Sequence, residues 1–403
     1  MQDKGKNGMI GQYIRKDLSA PDLNSINGRE SFRNDIFRSL VCRGILIIGS
    51  YPPPFGGISR HVSDLQNKIR NDANIKAIVL NTEFKKRNVP GVICSRGRLE
   101  FIFNLFSESR RYDFAHLHTN GHNTGSWQMI VLGAIASMAS GTPYFLTLHS
   151  GNCSAYIRGV NPYKKKYFLW ALKKYQGIIS VNDHIKSCLM EMGLSNPVLT
   201  IPAYLGLKIP PSKMDGGEIG GFINIKKPII SSVVAFRPEY RIEDLISVVR
   251  SLKPDFPDIG MVIIGAGPGK REINLHIERE GMKNEILVIS DIDPEHVHSI
   301  MNASSVFIRS TAFDGDSISV REALSLKVPI VATDTGFRPE GVMKYAVGDV
   351  QMLYTLVKRI LTGPVRELYK KEDPEPENLS AIMNFYKYAL TRKIMGLEKG
   401  DHE

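Results

Sequence analysis

Asp314, Gly315 and Asp316 stand between the apolar run "SVFIRS" (305–310) and a stretch with helical spacing, and Glu322 follows Asp314 by eight residues. A helix starting near Ser317, capped by Asp316 or Ser317, would leave Asp314 in the loop at its mouth and Glu322 inside it. The free amides of Ser317, Ile318 and Ser319, with the helix dipole, suit an anion. A carboxylate beside such an anion could accept hydrogen bonds from sugar hydroxyls. The same residues also suit an ordinary capped helix with Glu322 in water, and spacing does not choose between the two.

A second constellation is "ILIIGSYPPPFGGISRHVSDL" (45–65), a buried-strand pattern that breaks into three prolines and the pair Gly56-Gly57 before helical spacing begins. Glycines there can take positive φ and let a ligand reach the backbone, while the prolines hold the loop in fewer conformations. A rigid loop with accessible amides suits a phosphate or a sugar hydroxyl, and equally a plain tight turn. His149 closes the run "YFLTLH", and His118 lies in "AHLHTN". A histidine at a strand end can be structural or chemical. "IIGAGPGKRE" (263–272) contains G-x-G-x-G but lacks an acidic residue after a following strand, so a dinucleotide site is weakly supported.

These residues need a scaffold, and the chain supplies one. Near-continuous apolar runs at 45–49, 75–80, 114–118, 144–149, 177–181 and 198–202 mostly alternate with helical patterns. This predicts a parallel sheet covered on both faces. "PPSKMDGGEIGGFINIKKP" (210–228) interrupts the rhythm as a linker, and runs at 229–236, 260–267, 286–292, 305–310 and 329–334 restart it. The expected architecture is therefore α/β, with two doubly wound domains facing a central cleft at the carboxyl ends of their sheets. The expected divisions are a flexible arm at 1–40, a first domain at 41–208, a second at 209–370 and a terminal helical segment at 371–403.

Composition narrows the partners. The 403 residues carry a formal charge of +11, which favours anions of some kind. Four scattered cysteines show no metal-ligand spacing and suit a reduced compartment. The opening residues do not resemble a secretory signal, and the longest apolar run, at 129–139, is too short to span a bilayer. A cytoplasmic protein is expected. "NPYKKKYFLWALKKYQ" (161–176) mixes lysines with aromatics and suits either an anionic membrane surface or a surface helix with aromatics in its core. No nucleic-acid module is visible, so no nucleic acid is expected as a partner.

The order strand–"YPPPFGG"–helix, "HLHTNGHN", "TLHSG", "DGDSISVREAL" and "PIVATDTG" resembles the retaining glycosyltransferases of family 4, from about Gly44 to the C-terminal helix. The resemblance implies the GT-B fold, two Rossmann-like domains, with the last segment returning toward the first domain. It implies that Asp314 and Glu322 are the family's E-x₇-E pair, with Asp314 one methylene shorter than the usual Glu and facing the donor sugar. Glu322 would then bind ribose hydroxyls, and the amides of Ser317, Ile318 and Ser319 the diphosphate. Gly56 and Gly57 match the family's glycine loop, His149 matches a histidine near the transferred sugar, and His118 is a further candidate. The family's glycine-arginine pair and following lysine are replaced by Arg237 and Arg241, one residue closer together and without the lysine. Two guanidiniums could still clamp phosphate oxygens.

The activity implied is a metal-independent, retaining transfer of a sugar from a nucleotide-diphosphate donor to an acceptor hydroxyl, with no cofactor. The acceptor would be a glycan or a lipid-linked precursor in surface polysaccharide or glycolipid synthesis, with the protein peripheral at the inner face of the membrane. The competing readings are a non-catalytic subunit that binds nucleotide-sugar or glycan, and a nucleotide-sugar epimerase of similar form.

Overall fold

The run Ile45–Gly49 is buried along its whole length and pairs in parallel with Ala77–Asn81 on one side and Phe114–Thr119 on the other. A strand without a polar face can only sit in a sheet covered twice, which is why this segment becomes the middle of one. The computed structural model describes residues 43–394 except 72, 85–87, 207–216, 291 and 364–377. The expected arm at 1–40 and the acidic "KKEDPEPE" segment lie outside the described residues.

Seven parallel strands form the first sheet: β1 (Ile45–Gly49), β2 (Ala77–Asn81), β3 (Val92–Cys94), β4 (Phe114–Thr119), β5 (Tyr144–Leu148), β6 (Gly177–Ser180) and β7 (Val198–Thr200). Their spatial order is 3-2-1-4-5-6-7. Helices α1 (Gly57–Asn71), α2 (Arg98–Ser109), α3 (Thr124–Ser140), α4 (Cys153–Gly159), α5 (Pro162–Leu172) and α6 (Asp183–Glu191) cover it. The second sheet holds β8 (Ile229–Ala235), β9 (Gly260–Ala266), β10 (Ile286–Ile289), β11 (Val306–Arg309), β12 (Ile330–Thr333) and β13 (Met343–Tyr345), in the order 10-9-8-11-12-13. Around it lie α7 (Glu218–Ile225), α8 (Ile242–Leu252), α9 (Lys270–Arg279), α10 (Pro294–Ala303), α11 (Ile318–Ser325) and α12 (Val350–Thr362).

Each sheet reverses its winding beside its first strand, between β1 and β4 and between β8 and β11. At such switch points the loops part and leave a crevice at the carboxyl ends, so position in the sheet selects the residues of the site. The cores below are aliphatic: Leu46, Ile48, Leu117 and Leu146 in the first, Ile230, Met261, Ile263 and Ile308 in the second. Each such buried side chain contributes about 1.5–3 kcal/mol, which holds the loops above on a fixed platform.

Two details differ from the sequence expectations. The edge strands β3 and β13 were not anticipated, because three residues with little burial generate no readable pattern. Part of the expected linker is helix α7, whose Ile219, Phe222 and Ile223 pack into the second domain. Gly220 and Gly221 dilute that spacing in the sequence. The last helix, α13 (Asn378–Ile394), lies on the first sheet. Its Tyr386 is fully buried, with ring centroids 4.7 Å from Phe114 and 4.8 Å from Phe145.

Candidate active site

Strand β4 points alternate side chains to one face, which puts His116 and His118 side by side with ring centroids 3.9 Å apart. His149 follows β5 next door, and His61 descends from the first turns of α1. The His61 ring lies 5.2 Å from that of His118 and 5.0 Å from that of His149. His118 Nδ1 is 3.2 Å from His149 Nε2, and His61 Nδ1 is 2.6 Å from the carbonyl oxygen of Ala203. His116 is held at both nitrogens, 2.5 Å from Tyr386 Oη and 2.7 Å from Thr147 Oγ1.

Burial lowers the pKa of all four imidazoles, and the neighbouring rings lower those of His116, His118 and His149 further. They are neutral at physiological pH, so His149 meets the cleft as a hydrogen-bonding imidazole rather than a cation. Composition alone shows ten histidines and no reason to group these four. His61 and His116 went unrecognised in the sequence because their neighbours come from other strands.

On the opposite side, β11 ends in Arg309, whose guanidinium stacks 4.9 Å from the Tyr240 ring centroid. Asp314 receives hydrogen bonds from Arg309 Nε at 2.9 Å and Nη2 at 3.0 Å, and from Arg338 Nη1 at 2.8 Å. Burial raises the Asp314 carboxyl, but the two guanidiniums outweigh it and the net shift is downward. Its carboxylate thus accepts three hydrogen bonds from two arginines.

Asp316, two residues on, behaves oppositely. Burial raises its carboxyl more than Arg321 and the Ala203 amide lower it. It accepts from Arg321 Nε at 2.6 Å and from Ala203 N, in the first domain, at 2.9 Å. Ser317 occupies the N-cap position of α11 but makes no side-chain cap, its Oγ lying 3.2 Å from Ser319 Oγ. The expected cap position is found at Ser317, but without a side-chain cap bond, because the Asp316 and Ser317 side chains have other partners. Ser319 is buried, and Ile318 touches the first domain's core. Glu322 is buried inside α11, and its Oε1 lies 3.0 Å from Nε2 of His298 on α10, a partner nothing in the sequence announced.

The basic pair divides. Arg237 is exposed where β8 gives way to the short 3₁₀ turn Pro238–Tyr240. It acts electrostatically on His122 of the first domain. Arg241 takes a left-handed conformation, and its Nε and Nη2 are bound by Asp244 at 2.6 Å and 2.9 Å. Its guanidinium fork is therefore turned onto its own helix.

The glycine loop also differs from expectation. Neither Gly56 nor Gly57 takes a positive φ. A Cβ on Gly57 would meet nothing within 4 Å, and one on Gly56 only Ser59 Oγ at 3.8 Å, so the pair leaves open space at the mouth of α1. The G-x-G-x-G stretch has a packing reason. A Cβ on Gly265 would lie 2.1 Å from the Val234 carbonyl oxygen, and on Gly267 or Gly269 2.9 Å from Phe236 backbone atoms.

The loops that follow β5 and β11 meet. A Cβ on Gly151 would fall 1.7 Å from the Asp314 carbonyl oxygen, and one on Gly315 2.0 Å from that of His149. Asn182 Nδ2 donates to the Gly315 carbonyl at 3.0 Å, and Tyr204 Oη lies 2.9 Å from Ser325 Oγ. Neutral imidazoles, the amides opening α11, an exposed arginine and a buried carboxylate thus converge at the carboxyl ends of both sheets. Such a set can bind an anion and hydroxyl groups together.

Residues 221–370 match the glycosyl transferases group 1 family. A 2-deoxystreptamine glucosyltransferase of Streptomyces kanamyceticus is 21% identical over 265 residues, covering 60% of this chain and 67% of that enzyme. An alpha-maltose-1-phosphate synthase of Mycolicibacterium smegmatis is 20% identical over 337 residues, covering 74% of this chain and 81% of that one. Among solved structures, Anabaena HepE in complex with UDP-glucose superposes with a TM-score of 0.63 at 14% identity, over 86% of this chain and 96% of its own. Sucrose-phosphate synthase from Thermosynechococcus elongatus does so with a TM-score of 0.63 at 15% identity, over 88% and 98%. The fold of this chain is GT-B.

Proposed function

We propose, for a glycosyltransferase that belongs over residues 221–370 to the glycosyl transferases group 1 family, a metal-independent, retaining transfer from a nucleotide-diphosphate sugar to an acceptor hydroxyl. The observation that carries this reading is the contact of the His149 carbonyl with Gly315, which sets the histidine cluster against the loop opening α11. A donor lying there would place its diphosphate at the amides of Ser317, Ile318 and Ser319 and its ribose at Glu322, with His298 orienting that carboxylate. Departure of the nucleoside diphosphate builds negative charge, which Arg237 and the helix dipole stabilise, with Nη1 of Arg241 as a further donor. His149 and His118 face the transferred sugar as neutral hydrogen-bonding groups, and the open space over Gly56 and Gly57 admits the acceptor. Asp314 acts through Arg309 and Arg338, fixing the loop.

A UDP-sugar is the first donor to test, since the similar Anabaena structure holds UDP-glucose. Thermal unfolding of wild type and Glu322→Ala across UDP-, GDP- and ADP-sugars is the experiment, because a ligand bound to the native state raises the midpoint as its concentration exceeds Kd. Stabilisation by one donor that disappears in the variant supports the reading, and stabilisation by none overturns it. Turnover of the donor with no acceptor present would instead support an epimerase, and binding without any turnover a binding subunit.

The acceptor side of the reading is an anionic membrane carrying a lipid-linked glycan. Its support is α5 and the turn that follows it, where Tyr163, Tyr167 and Trp170 are exposed among Lys164, Lys166, Lys173 and Lys174. Phe168 of the same helix is buried and stacks on Trp127. Among the described residues no helix is long and apolar enough to cross a membrane.

A further inference from the structure

One ring nitrogen from each of His61, His118 and His149 lies within 4.8 Å of the other two. We propose that these three residues form a binding site for a divalent transition metal, with zinc as the representative ion.

The nearest pair is already at the spacing such an ion needs. His118 Nδ1 and His149 Nε2 are 3.2 Å apart. The edge of a tetrahedron with bonds of 2.0–2.1 Å to nitrogen is about 3.3 Å. The third nitrogen has to close by at most about 1.5 Å to complete the face, given the 4.8 Å limit.

The free valences point the same way. His61 Nδ1 sits 2.6 Å from the Ala203 carbonyl, so it carries the proton and leaves Nε2 as a bare lone pair. That Nε2 is buried and has no partner. An orphaned lone pair in a dry interior is costly and calls for an occupant. A backbone carbonyl fixing the tautomer of a histidine is also the usual outer support of a metal ligand.

His149 is the least buried of the three, so a fourth position can be filled by water from the cleft. Three histidines and an open position suit zinc, copper, nickel or cobalt, and exclude calcium and magnesium, which take oxygen.

The binding claim stands apart from the proposed function. Its consequence rests on that reading: an ion on His149 Nε2 takes this nitrogen away from the donor sugar, so zinc inhibits transfer. The experiment is titration of the untagged, chelator-treated full chain with Zn²⁺ by calorimetry and with Co²⁺ by visible absorption. His61→Ala, His149→Ala and the exposed His184→Ala are compared, each checked for native circular dichroism. The expected result is one ion per chain, with nitrogen-ligated four-coordinate cobalt bands. Affinity falls at least about tenfold in His61→Ala and His149→Ala and is unchanged in His184→Ala. Absence of stoichiometric binding, or equal binding in all folded variants, overturns the site. Stoichiometric zinc that leaves transfer unaffected keeps the site and removes the role given to His149.

Discussion

Gly315 stands so close to His149 that a Cβ on the glycine would lie 2.0 Å from the histidine's carbonyl oxygen. This contact is backbone on backbone and joins loops from two separate sheets, so neither side can yield by turning a side chain. Gly315→Ala must push the loops apart. The expected outcome is a loss of about 1–3 kcal/mol in stability. Turnover should fall about 100-fold, because a shift near 1 Å misaligns reacting groups. Denaturant midpoints and initial rates on the same preparation check it, and an alanine variant with native turnover would show that the contact does not set the site.

Among the described residues, Asp314 is the only carboxylate at ion-pair distance from two guanidiniums that are themselves buried, with side-chain exposures of 9% for Arg309 and 2% for Arg338. Removing the carboxylate leaves those charges without a counter-ion. Asp314→Ala should therefore lose about 3–5 kcal/mol, read as a lower urea midpoint. A variant that unfolds at the native midpoint would show the clamp to be dispensable.

Glu322 and His298 should behave as a unit. His298→Ala removes the hydrogen bond to Glu322 Oε1 while leaving the carboxylate in place. Donor affinity, followed by the thermal midpoint at graded donor concentration, should weaken about tenfold, against complete loss of donor stabilisation in Glu322→Ala. Equal behaviour of His298→Ala and wild type would remove the orienting role.

Stability should depend on pH through the histidine cluster. His61, His116, His118 and His149 have folded pKa values below the ordinary 6.5. Below that pH the unfolded chain binds protons that the folded chain refuses. Their contribution is thus complete above about pH 6.5 and is lost as pH falls beneath it. Each histidine that is protonated only when unfolded adds up to about 1.4 kcal/mol per pH unit to the slope. Asp316, with its raised carboxyl, acts in the opposite sense as one group against four. Urea midpoints between pH 8 and 5, in chelator, should fall steeply below 6.5, and a flat profile would contradict the burial of these rings.

The basic aromatic helix makes its own prediction. Substituting Lys164, Lys165 and Lys166 by Ser should weaken association with anionic phospholipid vesicles about 100-fold, since each lysine near such a surface contributes about 1 kcal/mol. Co-sedimentation at low and high salt measures this. Unchanged binding would assign α5 to the surface alone.

The strands at both switch points were readable because each is a short, mostly apolar run, and β1, which has no polar side chain, has one place to go. The block from Asp314 to Glu322 was readable for a related reason: a loop, a helix start and a carboxylate two turns later are local features. The glycines were read less well. Gly56 and Gly57 looked like left-handed positions, yet the structure uses them for open space, while Gly151 drew no notice and lies against Asp314. A glycine signals freedom, and only its neighbours show which freedom is used.

By itself the sequence determined the alternation of strands and helices, the two doubly wound sheets and the loops that carry polar residues, since these follow from periodicity within a few turns of chain. The tertiary structure alone decided that His61, His118 and His149 share one cluster, that Arg338 reaches Asp314, and that Gly315 meets His149. Hydrogen bonds, desolvation and ion pairing act through space. Residues far apart in the chain acquire their chemistry only when the sheets bring them within a few ångströms of one another.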